Sequence, residues 1–329
     1  MKYKSVSRIK EKISAIGLGC WGFSGETVWG KESEEKTSIS AIHAALDLGI
    51  NLLDVAPVYG RGHAETVVGK GIKGYDRGKI IIASKCGLLW DESGREFNNL
   101  HKESILKEID NSLKRMDTDY IDIYQLHWPD FSTPLEETLE AIRIIKDSGK
   151  IRYFGVTNFA IDDVETMEKT ITVSSQQSLY NMLERNPRTY HGIKLVYRTE
   201  REILPYCREH GQAFFPYSPV MQGLLNGSWK ADRVFDNNDV RRFNPKLSGE
   251  KYSVYFKAMT GLKKISEKYG HSLYETAVNW LIQNPAVTSV IGSCQTAEKV
   301  SGSVKALEWE ISREMMDEID KFLEPFKDM

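Results

Sequence analysis

The chain has 329 residues, 41% of them hydrophobic and 27% charged, with a formal net charge of -2. That balance belongs to a globular protein with ample apolar material for a core. It excludes a general electrostatic pull toward nucleic acid or an anionic membrane, so any phosphate-bearing ligand has to be met by a local site.

In chain order, "KYKSV" and "KISAIGLG" read as strands, the first of them forming an N-terminal β-hairpin. "SEEKTSISAIHAALDLG" reads as a helix, with Ile39, Ile42, Ala45 and Leu46 on one stripe and Gly49 at its end. "INLLDV" is a strand, "HAETVVGKGIKG" a short helix, "KIIIASK" a strand and "HKESILKEIDNSLKRM" a helix. "YIDIYQLH" is a strand, "TPLEETLEAIRIIKDSG" a helix opened by Thr133 and Pro134, and "IRYFGVT" a strand. "DDVETMEKT" is helical, "VSSQQS" extended, "TEREILPYCREHG" helical and "QAFFPYS" extended. A long loop runs from Pro219 to about Tyr252. Helices at "YFKAMTGLKKISEKYG" and "SLYETAVNWLIQNP", a strand at "VTSVIG", and helices at "TAEKVSGSVKAL" and "SREMMDEIDKFL" complete the chain.

Counted from "ISAIGLG", eight strands alternate with helices. Such alternation forms a parallel sheet, and eight units at a length above the roughly 250 residues typical of the fold predict a closed (β/α)8 TIM barrel. An open doubly wound sheet would want a GxGxxG turn after its first strand, and "GLGCWGFSG" has the wrong spacing for one. No linker, low-complexity tract or charge run divides the chain, so a single domain over 1–329 is expected. The fold class is therefore α/β: a (β/α)8 barrel with an N-terminal hairpin, a long loop after strand 7 and an extra C-terminal helix.

Cys20, Cys86, Cys207 and Cys294 are widely spaced and form neither a CxxC pair nor a metal-ligand cluster. This usage fits a reduced, cytoplasmic protein. The N-terminus "MKYKSVSRIKEKISAIGLGC" lacks a signal-peptide core, and no apolar run reaches the ~18 residues of a membrane span. No metal, nucleic acid or membrane is expected as a partner, and the oligomeric state is open.

In a barrel the chemistry sits at the C-terminal strand ends. Strand 2 ends at Asp54 with Tyr59 just beyond, strand 3 at Lys85, strand 4 at His127, and strand 5 at Thr157 and Asn158. Strand 6 supplies Gln177 and Asn181, and strand 7 supplies Tyr217 and Ser218. Each alone is equally a solvated, capping or structural residue. Together an acid, a phenol, an ammonium and an imidazole at three successive strand ends point to one reacting centre. A phenol is a weak acid, with an ordinary pKa of about 10. A nearby ammonium lowers that value, and a carboxylate fixes the ammonium. An imidazole can hold and polarise a substrate oxygen. The set reads as Tyr59 donating a proton, tuned by Lys85 and Asp54, with His127 orienting a carbonyl while a hydride arrives from elsewhere. A metal-dependent barrel hydrolase would need more strand-end ligands than Asp54 and His127.

At this point the sequence resembles the aldo-keto reductase family over nearly its whole length. The resemblance is carried by "GLGCWGF", "LDVAPVYGRGHAETVVGKGI", "NSLKRMDTDYIDIYQLHWPD", "GKIRYFGVTNF", "QQSLYN", "YSPVMQGLL" and "SVIGSCQTAEKV". "DVRRFNPKL" in the long loop is similar to the bacterial stress-linked and potassium-channel β-subunit branch. The resemblance implies an extended nicotinamide cofactor, NADP(H) ahead of NAD(H), and reduction of aldehyde or ketone substrates. It implies Asp54, Tyr59, Lys85 and His127 as the catalytic set, with Asp54 also facing the cofactor. Cys20 and Trp21 would lie beside the nicotinamide ribose. Thr157, Asn158 and Gln177 would hold the carboxamide, and Tyr217 would stack on the ring. Ser218, Pro219, Gln222, Gly223 and Leu224 would follow the pyrophosphate, with Arg241 as a clamp. Ser293, Gln295 and Lys299 would face the adenosine, Lys299 meeting a 2′-phosphate. Trp21, Tyr59, Trp90, His127 and Trp128 would line the substrate pocket. The chain departs from the family at Val55, where Thr is common, and at Ser293, Gln295, Gly302 and Ser303 in the adenosine region. The alternative to an enzyme is a cofactor-binding, redox-sensing subunit with little turnover.

Overall fold

A computed structural model describes residues 1–25 and 34–326. The start of the first predicted helix, at residue 33, lies outside the described residues. Eight strands form one parallel sheet: β1 (Ile16–Gly19), β2 (Leu52–Asp54), β3 (Ile81–Cys86), β4 (Ile121–Leu126), β5 (Ile151–Thr157), β6 (Val173–Leu179), β7 (Ala213–Tyr217) and β8 (Val290–Gly292). Their order is β7-β6-β5-β4-β3-β2-β1-β8. The two ends then meet. The amides of Thr288 and Ser289 donate to the Phe214 carbonyl at 2.9 and 3.4 Å, and Phe214 N–H donates to Thr288 Oγ1 at 3.0 Å. The sheet is thus a barrel, with helices α1 (Glu35–Asp47), α2 (His63–Gly71), α3 (Lys102–Met116), α4 (Leu135–Asp147), α5 (Ile161–Glu168) and α6 (Leu204–His210) following the first six strands. Two helices, α7 (Gly249–Lys268) and α8 (Leu273–Gln283), separate β7 from β8, and α9 (Ala297–Val304) and α10 (Arg313–Leu323) end the chain. Ser272 and Glu275 start α8 with a reciprocal capping box, which satisfies two amides that the helix end would leave orphaned. Among the described residues no helix is long and apolar enough to cross a membrane.

The predicted N-terminal hairpin is present, pairing Tyr3–Val6 with Ile9–Ser14 antiparallel. It plugs one end of the barrel. Ile9 and Ile13 pack with Leu52, Ile81, Ala83, Ile123, Ala213, Phe215 and Ile291, one inward cluster from five barrel strands. Because side chains alternate along a strand, the inward row of β2 runs from Leu52 to Asp54, and that of β3 from Ile81 through Ala83 to Lys85. The interior therefore passes from apolar at the hairpin to charged at the opposite mouth.

Two elements differ from the sequence expectation. The loop after β3 folds back as a short antiparallel pair, Leu88–Trp90 with Glu96–Asn98. The loop after β6 does the same, Thr189–Tyr190 with Ile193–Lys194. Both pairs are too short to carry a period-two signal over several residues. The long loop after β7 holds three 3-10 turns before α7 begins at Gly249.

Candidate active site

The turn that carries Tyr59 is shaped by its neighbour. Gly60 has φ +62°, and a Cβ there would lie 1.9 Å from the Ser24 carbonyl oxygen. Only glycine permits that approach, so the turn closes against the segment that follows β1. Tyr59 is thereby set facing the strand ends. Its hydroxyl is 3.5 Å from Lys85 Nζ, and its ring lies edge-on to His127 with centroids 6.1 Å apart. Trp21 is tilted against the same ring at 6.3 Å.

Lys85 is fully buried, and its ammonium donates to Asp54 Oδ1 at 2.8 Å and to the Val55 carbonyl at 3.0 Å. A buried charge persists only when paired and hydrogen-bonded, and both conditions hold. Gln177 Nε2 also donates to Asp54 Oδ1, at 2.8 Å. Burial first, and then the Asp54 carboxylate, push the Tyr59 hydroxyl well above its ordinary value. The sequence expectation was the reverse, a phenol lowered by Lys85. The physical reason for the difference is that Asp54 pairs with the ammonium, so the ion pair offers the phenol little net positive charge, and desolvation prevails. Tyr59 is held in its protonated, donating form. Burial, and secondarily Lys85, push the His127 imidazole well below its usual value, so the ring is neutral near pH 7.

One large cavity opens at this mouth. Its volume is about 1400 Å³, above the roughly 300–1,000 Å³ of most small-ligand sites. Asp54, Tyr59, His127, Trp21 and Trp128 line one part of it. Thr157, Asn158, Gln177, Tyr217, Ser218, Pro219, Gln222, Gly223, Arg241, Ser293, Gln295 and Lys299 line it as well. Lys85, Cys20 and Leu224 are fully buried behind the wall. In the hairpin after β3, Leu88 and Glu96 line the cavity, and Trp90 lies directly opposite Glu96 without lining it.

The local contacts refine several expected positions. Asn158 adopts φ 67°, a left-handed conformation that asparagine tolerates better than most residues. Its Oδ1 accepts from Tyr197 at 2.9 Å and Tyr217 at 3.0 Å, and its Nδ2 donates to the His127 carbonyl at 3.3 Å. Thr157, a cavity-lining residue, has its Oγ1 buried without a hydrogen-bond partner. Arg241 is tied to Asp239 by its Nε at 2.8 Å. The turn after β7 has positive φ at Ser218, Met221, Gln222 and Gly223, and Ser218, Gln222 and Gly223 line the cavity.

Sequence reasoning missed Tyr190, His191, Glu96 and Lys305, all on the cavity wall. Tyr190 stacks on Trp128 at 6.4 Å and meets Tyr217 edge-on at 5.3 Å. "TYHGIK" does carry a signal, a His-Gly turn between β-prone residues. Among the described residues no group of three or more His, Cys, Asp or Glu side chains is placed to hold a metal ion.

The chain is 35% identical to the aldo-keto reductase YhdN of Bacillus subtilis, over 98% of this chain and 94% of that protein. It is 30% identical to the NADH-specific methylglyoxal reductase of Escherichia coli, over 94% of this chain and 96% of that one. The structure of the glycerol dehydrogenase AKR11B4 from Gluconobacter oxydans superposes with a TM-score of 0.86 at 31% identity, covering 99% of this chain and 96% of its own. The family model described as "Aldo/keto reductase family" matches residues 15–324. The chain belongs to the aldo/keto reductase family of oxidoreductases.

Proposed function

We propose that this chain reduces aldehyde or ketone carbonyls to alcohols with a nicotinamide dinucleotide, NADP(H) in preference to NAD(H). The observation that carries the reading is the convergence of Tyr59, His127 and the Asp54–Lys85 pair at a cavity whose lining also includes Lys299. The residues fit such a cofactor. Thr157 Oγ1 is a buried, unpartnered polar atom on a cavity-lining residue, the turn at Ser218–Gly223 has several left-handed residues on the wall, and Lys299 and Lys305 offer cationic groups for a phosphate.

When bound, the nicotinamide supplies hydride to the carbonyl carbon. Tyr59 then supplies the proton to the carbonyl oxygen, so the product is the neutral alcohol. His127, neutral, donates a hydrogen bond to that oxygen and sets its position. Lys85 Nζ, 3.5 Å from the Tyr59 hydroxyl, would donate a hydrogen bond to the tyrosinate oxygen left behind, and Asp54 keeps Lys85 charged in a buried place. Trp21, Trp128, Tyr190 and Leu88 exclude water around the reacting carbon. Thr157, Asn158 and Gln177 would hold the carboxamide, with Gln177 also bracing Asp54. Ser218, Pro219, Gln222 and Gly223 would follow the pyrophosphate, and Ser293, Gln295 and Lys299 would face the adenosine. The 2′-phosphate preference rests on Lys299 and Lys305, although one relative is described as NADH-specific.

The test is a carbonyl panel with NADPH and NADH, beginning with methylglyoxal, together with glycerol oxidation by NADP+ and NAD+, the compounds in two relatives' names. Turnover of at least one aldehyde with NADPH, lost in Tyr59→Phe, supports the reading. Absence of turnover with either cofactor across the panel overturns it.

A further inference from the structure

We propose that His191 is a positioning residue: through an unprotonated Nε2 it holds the turn Ser218–Gly223 in the shape that binds the cofactor. This rests on the proposed nicotinamide site.

His191 sits at the tip of the hairpin after β6, with φ 48° and Gly192 beside it at φ 85°. Its ring reaches across to the turn after β7, where His191 Nε2 lies 2.6 Å from Gln222 Nε2. Two nitrogens at that separation need one donor and one acceptor, and the surroundings decide which is which. The backbone N–H of Lys246 can only donate, and it donates to Asn244 Oδ1 at 3.0 Å. Asn244 must therefore turn its Nδ2 toward Gln222, and it donates to Gln222 Oε1 at 2.9 Å. Gln222 in turn presents its NH2 to His191. The only group left to accept is His191 Nε2, so its proton sits on Nδ1. A protonated ring would point N–H at NH2. Relief would require both amides to flip, and the Lys246 N–H opposes the flip of Asn244.

The turn needs such a tie. Ser218, Met221 and Gln222 are all non-glycine residues with positive φ, at 53°, 46° and 54°. Left-handed conformations of this kind persist where neighbouring contacts hold them. Asn181 Nδ2 grips the Ser218 carbonyl at 3.1 Å, and the His191–Gln222 bond grips the other end. Both His191 and Gln222 lie on the cavity wall. The same hairpin carries Tyr190, which packs on Trp128 and Tyr217.

The charges around the ring favour the neutral form. Burial depresses its basicity first, Glu184 opposes that, and Lys246 reinforces it. Glu184 and Lys246 are paired with each other at 2.5 Å, so their effects on the ring largely cancel. Tyr190 meets the ring edge-on at 4.5 Å. Arg241 and Asp239, themselves paired, come to the same wall from the loop after β7.

Two measurements on the full chain test this. In ligand-free protein labelled at histidine nitrogen, long-range nitrogen–proton NMR at pH 7.5 should show one Nδ1–H tautomer that vanishes in His191→Asn. An Nε2–H tautomer or a protonated ring at His191 overturns the latch. Fluorescence titration with NADPH and with NADH from about pH 5 to 8 should then show wild-type affinity falling about tenfold on acidification. His191→Asn, whose residue tolerates the left-handed backbone, should bind about tenfold more weakly at pH 8 with a flatter profile. Identical affinities and profiles for the two proteins overturn the positioning role. Failure of both dinucleotides to bind at any pH would sink the positioning role together with the proposed function, whereas the wrong tautomer sinks the positioning role and leaves the proposed function standing.

Discussion

Lys85 is completely buried, and its ammonium sits 2.8 Å from the carboxylate of Asp54, which is itself 4% exposed. A buried cation of this kind has no water to fall back on, so the pair is a structural commitment as much as a chemical one. Removing one partner leaves an uncompensated charge, at a cost of about 3–5 kcal/mol. We expect Asp54→Asn to lower the unfolding free energy measured by denaturant titration by that order. The double variant Asp54→Asn with Lys85→Met should recover most of the stability and none of the activity. A double variant as unstable as Asp54→Asn would mean that the ion pair is not the source of the loss.

Tyr59 is proposed as the proton donor, and its hydroxyl is held protonated by burial and by Asp54. Tyr59→Phe should lower kcat for aldehyde reduction by about 10²–10⁴-fold, while NADPH affinity measured by fluorescence stays within a few-fold. Retention of near-full kcat would reassign the donor.

Glu96 lines the cavity, and its charge acts on Tyr59, raising the affinity of that hydroxyl for its proton. The same field opposes an anionic substituent on a bound substrate. Glu96→Gln should raise kcat/KM for 4-carboxybenzaldehyde relative to benzaldehyde by about threefold or more, a size set by a partly screened charge pair. An unchanged ratio would remove Glu96 from substrate choice.

Lys299 and Lys305 reach the cavity from α9 and the turn that follows it. Lys299→Ala should weaken NADPH binding about tenfold and leave NADH nearly unaffected, since only one of the two carries the 2′-phosphate. Equal losses for both dinucleotides, or none, would place the phosphate elsewhere.

Glu108, on α3, accepts from Gly87 N–H at 3.0 Å just beyond β3, and burial pushes its carboxyl up to about 7. A raised carboxyl pKa means that the folded chain holds this proton more tightly than the unfolded chain does. Stability is therefore full below the ordinary value near 4.5, and falls as pH rises from there to about 7. The loss is up to about 3 kcal/mol. Glu108→Gln keeps an acceptor for Gly87 and should flatten the decline in denaturant midpoint between about pH 5 and 7.5. A wild type and variant with parallel profiles would contradict it.

Much of this protein could be read from local pattern. The alternation of eight strands with helices is a short-range signal, and it led to the barrel that the structure contains. Asp54, Lys85 and His127 could be placed at one mouth from strand ends alone, because period two carries an inward row from Ile81 to Lys85 without any knowledge of packing. The hairpins at Leu88–Asn98 and Thr189–Lys194 could not, since strands of two or three residues leave no periodic trace. That is why Leu88 and Glu96 on the cavity wall were not anticipated.

The sequence by itself determined which groups are available, and the parity of each strand determined which of them face inward. Only the tertiary structure decided their chemical state. Desolvation depends on what surrounds a group from every side, and so does the pairing of one charge with another. Tyr59 is raised where the linear order of acid, phenol and ammonium promised a lowered value, because Asp54 pairs with Lys85 and burial governs the phenol. The proton on His191 is likewise set by a relay through Gln222, Asn244 and Lys246, residues 31, 53 and 55 positions downstream in the chain and joined only by the closing of two loops over the barrel.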